Sequence, residues 1–495
     1  MTEKKRMHPI TIVVSIVKTI KEGILSLVFV FFFLIQKIGL PYFILLMLFG
    51  FIFIVVQKLL QWYRFTYRVE ENEVRIEYGL FVKKKRYIPI ERIQTINLTA
   101  GVFQRLVGVV KVEIETLGGA GSSEGELTAI PREDATELQR LVKKEKQNNK
   151  KVIKVTDEED ESTSIQETIE VEETPKQVYQ LSTKDLILAG MTSGRVAIIA
   201  AILGGFVSQV VDKIPDRYME QFFDGVYEQV IQLSTVLFIG LVLLVLFMTW
   251  VISIVGTMIR FGGFTVTRTE EYLHISRGLL EKVEVHVPIS RIQGVIVSES
   301  LLQQPFKLAT IQLNLITAKT EDEGTSERAL LPIVKKHKVQ SFLLELLPEY
   351  AVDFELTKVP KRALPRSLFR HLFYQAIILS LVAYFVPYGA YGLFLLLPLA
   401  LQGYLAYRDR GYAISEKYCI IQHRTFLHRV LSIVELRKIH RQELSQTYFQ
   451  KRKRLLTLNI FTPEGSYEVI DIEAQEGLEM EQSFVDFYKK RVRKV

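Results

Sequence analysis

The sequence predicts an α+β integral membrane protein in which a transmembrane helical hairpin, followed by a small β-rich domain capped by a helix, occurs three times. Three observations predict it. Charge is absent from long stretches, although 24% of the 495 residues are charged and 48% are hydrophobic. A unit with Pro, Arg and Gln at fixed spacing returns after 199 residues and again, more worn, after a further 147. Each return lies among runs that alternate polar and apolar residues with the period of a half-buried strand.

The apolar stretches come first. Ile38–Gln57, Val230–Ile259 and Leu372–Tyr407 carry no charge, and each reaches the ~20 residues a helix needs to cross a bilayer. Two have an apolar companion, Ile24–Ile35 and Val196–Val211, while the third is broken near its middle by VPYGAYG. Six spans in three hairpins are therefore expected. The loop Asp212–Glu228 holds five acidic residues against two basic ones, and the opposite flanks carry MTEKKR, QWYRFTYR and YRDR. By the positive-inside rule both termini and all three soluble domains are expected on the cytoplasmic side of the membrane. A cleaved leader is not expected, because Lys21 and Glu22 stand where its apolar region would begin. The single Cys419 excludes an internal disulfide and suits a reducing compartment.

The repeats come next. RYIPIERIQTINLTAGVFQRLVGVVKVEIET aligns with VHVPISRIQGVIVSESLLQQPFKLATIQLNL, placing Pro288, Arg291, Gln293 and Gln303 on Pro89, Arg92, Gln94 and Gln104. Arg105 and Gly108 complete the first copy of the motif. In the third copy Lys438, His440 and Gln450 stand in the Arg, Gln and Gln places. Around them VRIEYGLF, KVEIET and ELTAIP, then YLHISRGLL, IQLNLIT and RALLPIV, then YCIIQH, LTLNIF and YEVIDI read as antiparallel strands, each set followed by a helix. GGAGSSEG, KTEDEGTSER and TPEGS read as hairpin tips, and the QLNLITA strand as an edge with little charge to guard it. The resulting layout is hairpin 1–63, domain 64–147, acidic disordered linker 148–180, hairpin 181–260, domain 261–350, linker 351–368, hairpin 369–407 and domain 408–495. Within the first linker, Val155–Thr174 has nine acidic residues and no basic one, so it cannot bury a core. It reads as a solvated tether or as a competitor that folds back on a basic patch.

IPIERIQTINLTAGVFQRLVGVVKVEIETLGG resembles the signature of bacterial membrane-flanked domains, which have a type 2 bacterial pleckstrin-homology-like fold. The resemblance covers nearly the whole chain outside the linkers. It implies for each domain a β-roll of seven strands in two orthogonal sheets capped by a helix, an interaction role without catalysis, and a smaller companion membrane protein with one hairpin and one domain. It also suggests a role in envelope stress or resistance to membrane-active compounds. In the third copy Lys438 and His440 depart from the motif.

The repeated Arg and Gln offer donors and acceptors that suit either a partner-binding edge or the fastening of an irregular loop. Lys83, Lys84, Lys85 and Arg86, with Lys451, Arg452, Lys453 and Arg454, are candidate contacts for anionic lipid head groups. Their alternative reading is a solvated edge that resists strand pairing. Arg195 just ahead of an apolar run is a candidate intramembrane or interface charge. His423, His428 and His440 lack metal-ligand spacing, GGAGSSEG lacks the Gly-Lys-Ser/Thr of a phosphate cradle, and no nucleophile elbow can be named. No enzyme, metal or cofactor is therefore expected. A formal charge of +8 without a concentrated basic face gives no support for nucleic-acid binding. Two functions remain: a non-enzymatic interaction scaffold, or a lipid or small-solute transporter whose path would show polar side chains such as Arg195, Ser208, Gln209 and Gln375.

Overall fold

The computed structural model describes residues 4–20, 22–23, 40–70, 73–80, 82–116, 125–142, 177–193, 230–315, 329–385, 389–415, 417–425, 427–463 and 465–492. The chain forms two compact units. One comprises residues 1–180, 263–288 and 318–322, the other 181–262, 289–317 and 323–495.

In the first unit a short apolar helix α1 (Ile10–Ile20) precedes α2 (Leu40–Arg64). Many apolar side chains of α2, Phe49 and Phe53 among them, are exposed, as befits a surface that lipid solvates. Strands β1 (Thr66–Glu70), β2 (Glu73–Tyr78) and β3 (Lys84–Pro89) form an antiparallel sheet. A single 3-10 turn, Ile90–Arg92, leads to β4 (Ile93–Ala100), the short helix α3 (Val102–Leu106), β5 (Val109–Thr116), β6 (Gly125–Pro131) and helix α4 (132–142). Period-two alternation turns Val74 and Ile76, Ile96 and Leu98, and Val110, Val112 and Ile114 to one side, where they pack with Ile88, Leu127 and Leu138. The same unit holds β7 (Gln177–Gln180), β8 (Thr265–Arg268), β9 (Tyr272–Arg277) and β10 (Lys282–Pro288). Its larger sheet runs β6-β5-β4-β10-β9-β8-β7.

The second unit begins with α5 (Thr183–Met191) and α6 (Val230–Phe261), then β11 (Ile292–Ser300), β12 (Leu308–Leu315), β13 (Ala329–Lys335) and α7 (Val339–Leu346). After β14 (Thr357–Lys358) the hairpin α8 (Leu364–Phe385) and α9 (Leu396–Asp409) leads to β15 (Gly411–Ile414), β16 (Tyr418–Thr425) and β17 (His428–Glu435). Last come β18 (Arg441–Ser445), α10 (Tyr448–Arg452), β19 (Leu455–Thr462), β20 (Gly465–Glu473) and α11 (Ala474–Val492). The sheets run β13-β12-β11-β17-β16-β15-β14 and β18-β19-β20. Phe484 of α11 closes the third core over Leu458, Ile460 and Val469.

Several expectations change. Each repeat contributes six strands of its own; the second and third gain a seventh from the segment that precedes them, and the first gains an isolated bridge. β7 pairs with β8, β14 pairs with β15, and Lys5 makes a bridge to Tyr67 of β1. Gln177–Gln180 and Thr357–Lys358 fall in stretches whose composition reads as linker, and their few residues acquire strand form from the edge they join. QLNLITA is no edge: β12 lies between β11 and β13. Among the described residues four helices are long and apolar enough to cross a membrane, over Ile44–Arg64, Leu243–Phe261, Lys361–Phe385 and Gly389–Asp409. Ile24–Ile35, Val196–Val211, the acidic loop 212–228 and the tips GGAGSSEG and KTEDEGTSER lie mostly or wholly outside the described residues. TPEGS turns between β19 and β20, with Thr462 Oγ1 donating to the Gly465 carbonyl at 3.0 Å.

Candidate functional site

The repeated glutamine of each copy is buried and its amide is spent within the fold. Gln104 Oε1 accepts from the Gly101 N–H at 2.8 Å, Gln303 Oε1 from the Ser300 N–H at 2.9 Å, and Gln450 Oε1 from the Thr447 N–H at 2.8 Å. Each carbonyl oxygen thus caps the turn that follows β4, β11 or β18. The nitrogens donate onward, from Gln104 to the Thr128 carbonyl, from Gln303 to Thr310 Oγ1, and from Gln450 to Thr457 Oγ1 and Asp471 Oδ1. That turn ends in a left-handed residue in all three copies: Gly108 at φ 73°, Lys307 at 53° and Arg454 at 53°. Glycine takes this conformation without strain in the first copy alone.

The other motif residues part company. Pro89 and Pro288 close β3 and β10 and start the 3-10 turn. Arg92 is exposed, Arg291 is half-buried, and Lys438 donates from Nζ to the Ser290 carbonyl at 3.1 Å. Gln293 is buried, the side chain of Gln94 lies outside the described set, and His440 is exposed, its backbone N–H bonded to the Phe461 carbonyl. Arg195, Ser208 and Gln209 also lie outside the described residues. Gln375, on α8, has a buried Oε1 without a hydrogen-bond partner.

Among the described residues, strand pairings join one repeat to the next in two places. In the first unit β10 pairs antiparallel with β4, with Lys282 opposite Ala100, Val283 opposite Thr99 and Glu284 opposite Leu98. In the second β17 pairs antiparallel with β11, with Arg429 opposite Glu299, Val430 opposite Ser298 and Leu431 opposite Val297, and the ladder continues to Val434 opposite Gly294. Glu299 is equivalent to Ala100 and Arg429 to Lys282 by the repeat offsets, so both junctions use one register. The residue after the repeated glutamine reaches across each time. Arg105 Nη1 donates to the Leu279 carbonyl at 2.7 Å, and Gln304 Oε1 accepts from Arg424 Nη2 at 2.8 Å.

The second junction is also charged within. Asp409, at the foot of α9, accepts from Arg424 Nε and Arg429 Nη2 at 2.7 Å each, and Glu299 binds Lys336 at 2.6 Å and Arg429 at 3.4 Å. Asp409 and Arg424 are almost wholly buried, so each charge depends on the other for compensation. A second carboxylate, Asp471, is fully buried at φ 64° and accepts from Arg366 Nε at 2.9 Å, fastening α8 to the third domain. Sequence reasoning missed both. Arg366 and Arg370 at the start of the third apolar run were its visible signal.

The capped turns expose bulky apolar side chains beside cations. These are Val102 and Phe103 beside Arg105, Leu301, Leu302 and Phe306 beside Lys307, and Tyr448 and Phe449 beside Lys451, Arg452, Lys453 and Arg454. Two of these tips are hydrogen-bonded to residues close to an apolar run. Ser300 Oγ donates to the carbonyl of Thr192, which follows α5 ahead of Val196–Val211, and Arg366 Nη2 of α8 donates to Thr447 Oγ1. The other basic cluster lies on and beside β3, where Lys83 binds Glu77 at 2.7 Å, Lys84 and Lys85 are exposed, and Arg86 lies over the Tyr78 ring.

The reactive groups are quiet. Burial pushes the Cys419 thiol up to about 12, and burial together with the Arg410 charge lowers His423 below its ordinary value. Burial and the Arg424 charge lower His428 likewise. Among the described residues no cluster of three His, Cys, Asp or Glu could hold a metal ion.

The Bacterial PH domain family matches this chain in three regions, residues 24–146, 217–349 and 370–483. The chain is 33% identical over 476 residues, 94% of each sequence, to the UPF0699 transmembrane protein YdbT of Bacillus subtilis strain 168. No solved structure matches. Three matched regions, each with the same capped turn and two of them joined onward in one register, make this chain a membrane protein of the bacterial PH domain family.

Proposed function

We propose that this protein is a membrane-anchored, non-enzymatic interaction scaffold whose three pleckstrin-homology-like modules stand on the cytoplasmic side of a bacterial cell membrane, held by six spans in three hairpins. The single observation that carries this reading is the shared register of the two junctions. A fold used twice to bind its own neighbour by the same strands is built for module-to-module contact. Short tethers to one membrane raise the effective concentration of the modules, so each pairing needs little affinity of its own.

The exposed apolar and basic tips belong to the same reading. Their hydrogen bonds to residues beside α8 and the second hairpin favour a position at the membrane interface, where Phe, Tyr and Leu enter the head-group layer and Lys and Arg meet anionic lipids. The partner proposed from the family resemblance is a smaller membrane protein with one hairpin and one such domain, acting with this chain in envelope stress or in resistance to membrane-active compounds. The test is purification of the tagged full chain from its native cell in mild detergent. A shorter membrane protein should accompany it in fixed ratio; recovery of the 57.1 kDa chain alone in every detergent would contradict the reading.

A further inference from the structure

The two junctions are heterologous: β4 or β11 of one repeat receives β10 or β17 of the next. A series of three repeats therefore leaves one half-junction over at each end. At one end is β3, the counterpart of β10 and β17. At the other is β18, the counterpart of β4 and β11. Among the described strands β3 pairs only with β2, and β18 only with β19. Both are more open than their counterparts: Lys84, Lys85, Arg86 and Tyr87 are exposed, as are Arg441, Glu443 and Ser445.

The repeat offsets carry the observed register onto these edges. Leu444, Ser445 and Gln446 take the places of Leu98, Thr99 and Ala100, and Lys83, Lys84 and Lys85 those of Lys282, Val283 and Glu284. One residue beyond the three pairs of the first junction, this register would set Glu443, which binds Arg441 at 3.0 Å within its own strand, across from Arg86, an opposite-charge pair of the kind that stabilises antiparallel pairing. The long ladder of the second junction depends on Gly294, where a Cβ would lie 2.6 Å from the Ile433 carbonyl oxygen. That place is Thr95 in the first copy and Arg441 in the third, so the leftover edges can pair only short of it, from Gln446 to Glu443.

We propose that β18 of one chain takes β3 of a second copy of this chain, antiparallel, with Ser445 opposite Lys84 and Glu443 opposite Arg86. The proposal deepens the scaffold reading and rests on it. The second copy is the occupant because one chain carries both halves of the contact, in matching register and with complementary charge. A heterologous contact repeated between chains yields a ring if its rotation closes and an open array if it does not. The lysines of β3 do not oppose this, since β10 and β17 pair while carrying Lys282 and Arg429.

The test uses the full chain in native membranes, with Cys419→Ala as background and two differently tagged versions produced together. One carries Ser445→Cys and the other Lys84→Cys, and mild oxidation should give a covalent product bearing both tags. Replacing Lys84→Cys by the off-register Tyr87→Cys should reduce that product at least fivefold. Adding Glu443→Lys to the first version should reduce it similarly, and Arg86→Glu in the second should restore it. A separate chain with Ser298→Cys and Val430→Cys reports, by its internal cross-link, that the fold is intact. With that control closed, absence of the two-tag product overturns the proposal. So does joining of Ser445→Cys to a shorter protein, which leaves the scaffold reading standing.

Discussion

Gln104, Gln303 and Gln450 each satisfy a backbone N–H and a neighbouring oxygen from a buried position, whereas Arg92, the most conspicuous residue of the same motif, is exposed. The repeat offset made the glutamines visible in sequence, but it could not separate residues that fasten the turn from those left on the surface. That separation depends on burial, which the recurrence of a residue type does not encode. Leaving a buried N–H without its acceptor costs about 1–3 kcal/mol. Gln104→Ala should therefore lower the thermal midpoint of the detergent-solubilised protein by several degrees, while Arg92→Ala should leave it nearly unchanged, as scanning fluorimetry would show. Asp471 was illegible for a different reason. Its partners Arg366 and Gln450 stand 105 and 21 residues away, and no local pattern links them.

Among the elements, the strands within each repeat were readable from alternation, because one face of each packs on a core. β7 and β14 were not. Four and two residues carry no period, and their form comes from the strand they join. The pairing of β11 with β17 was equally hidden, since register between repeats is set by fit; the sequence shows only its trace, Gly294. Gly294→Val should force the two strands apart at that end, at a cost on the order of 1–3 kcal/mol. Hydrogen exchange should then rise in β17 while β19 keeps its protection. For the capped tips, an environment-sensitive dye on Phe449→Cys in nanodiscs should report an apolar setting that is lost when Lys451, Arg452, Lys453 and Arg454 are all replaced by Gln. An aqueous signal in the unaltered tip would place it away from lipid.

At the scale of the whole molecule, the sequence predicted hairpin-and-domain repeats and presented their domains as separate beads. The structure redistributes the sheets. Three strands of the first repeat continue into three of the second, three more of the second continue into three of the third, and the segments that precede the second and third repeats supply the seventh strands of those two. Sequence periodicity could not reveal this, because a strand that pairs within its repeat and one that pairs beyond it have the same alternation. The central claim is that modules of this chain bind one another edge to edge in a fixed register. The most direct measurement is a within-chain disulfide in native membranes, in a Cys419→Ala background, comparing Ser298→Cys with Val430→Cys against the shifted pair Ser298→Cys with Ser432→Cys. The account predicts that the first pair closes nearly completely and the shifted pair hardly at all. Equal closure of both, or closure of neither in folded protein, would contradict it.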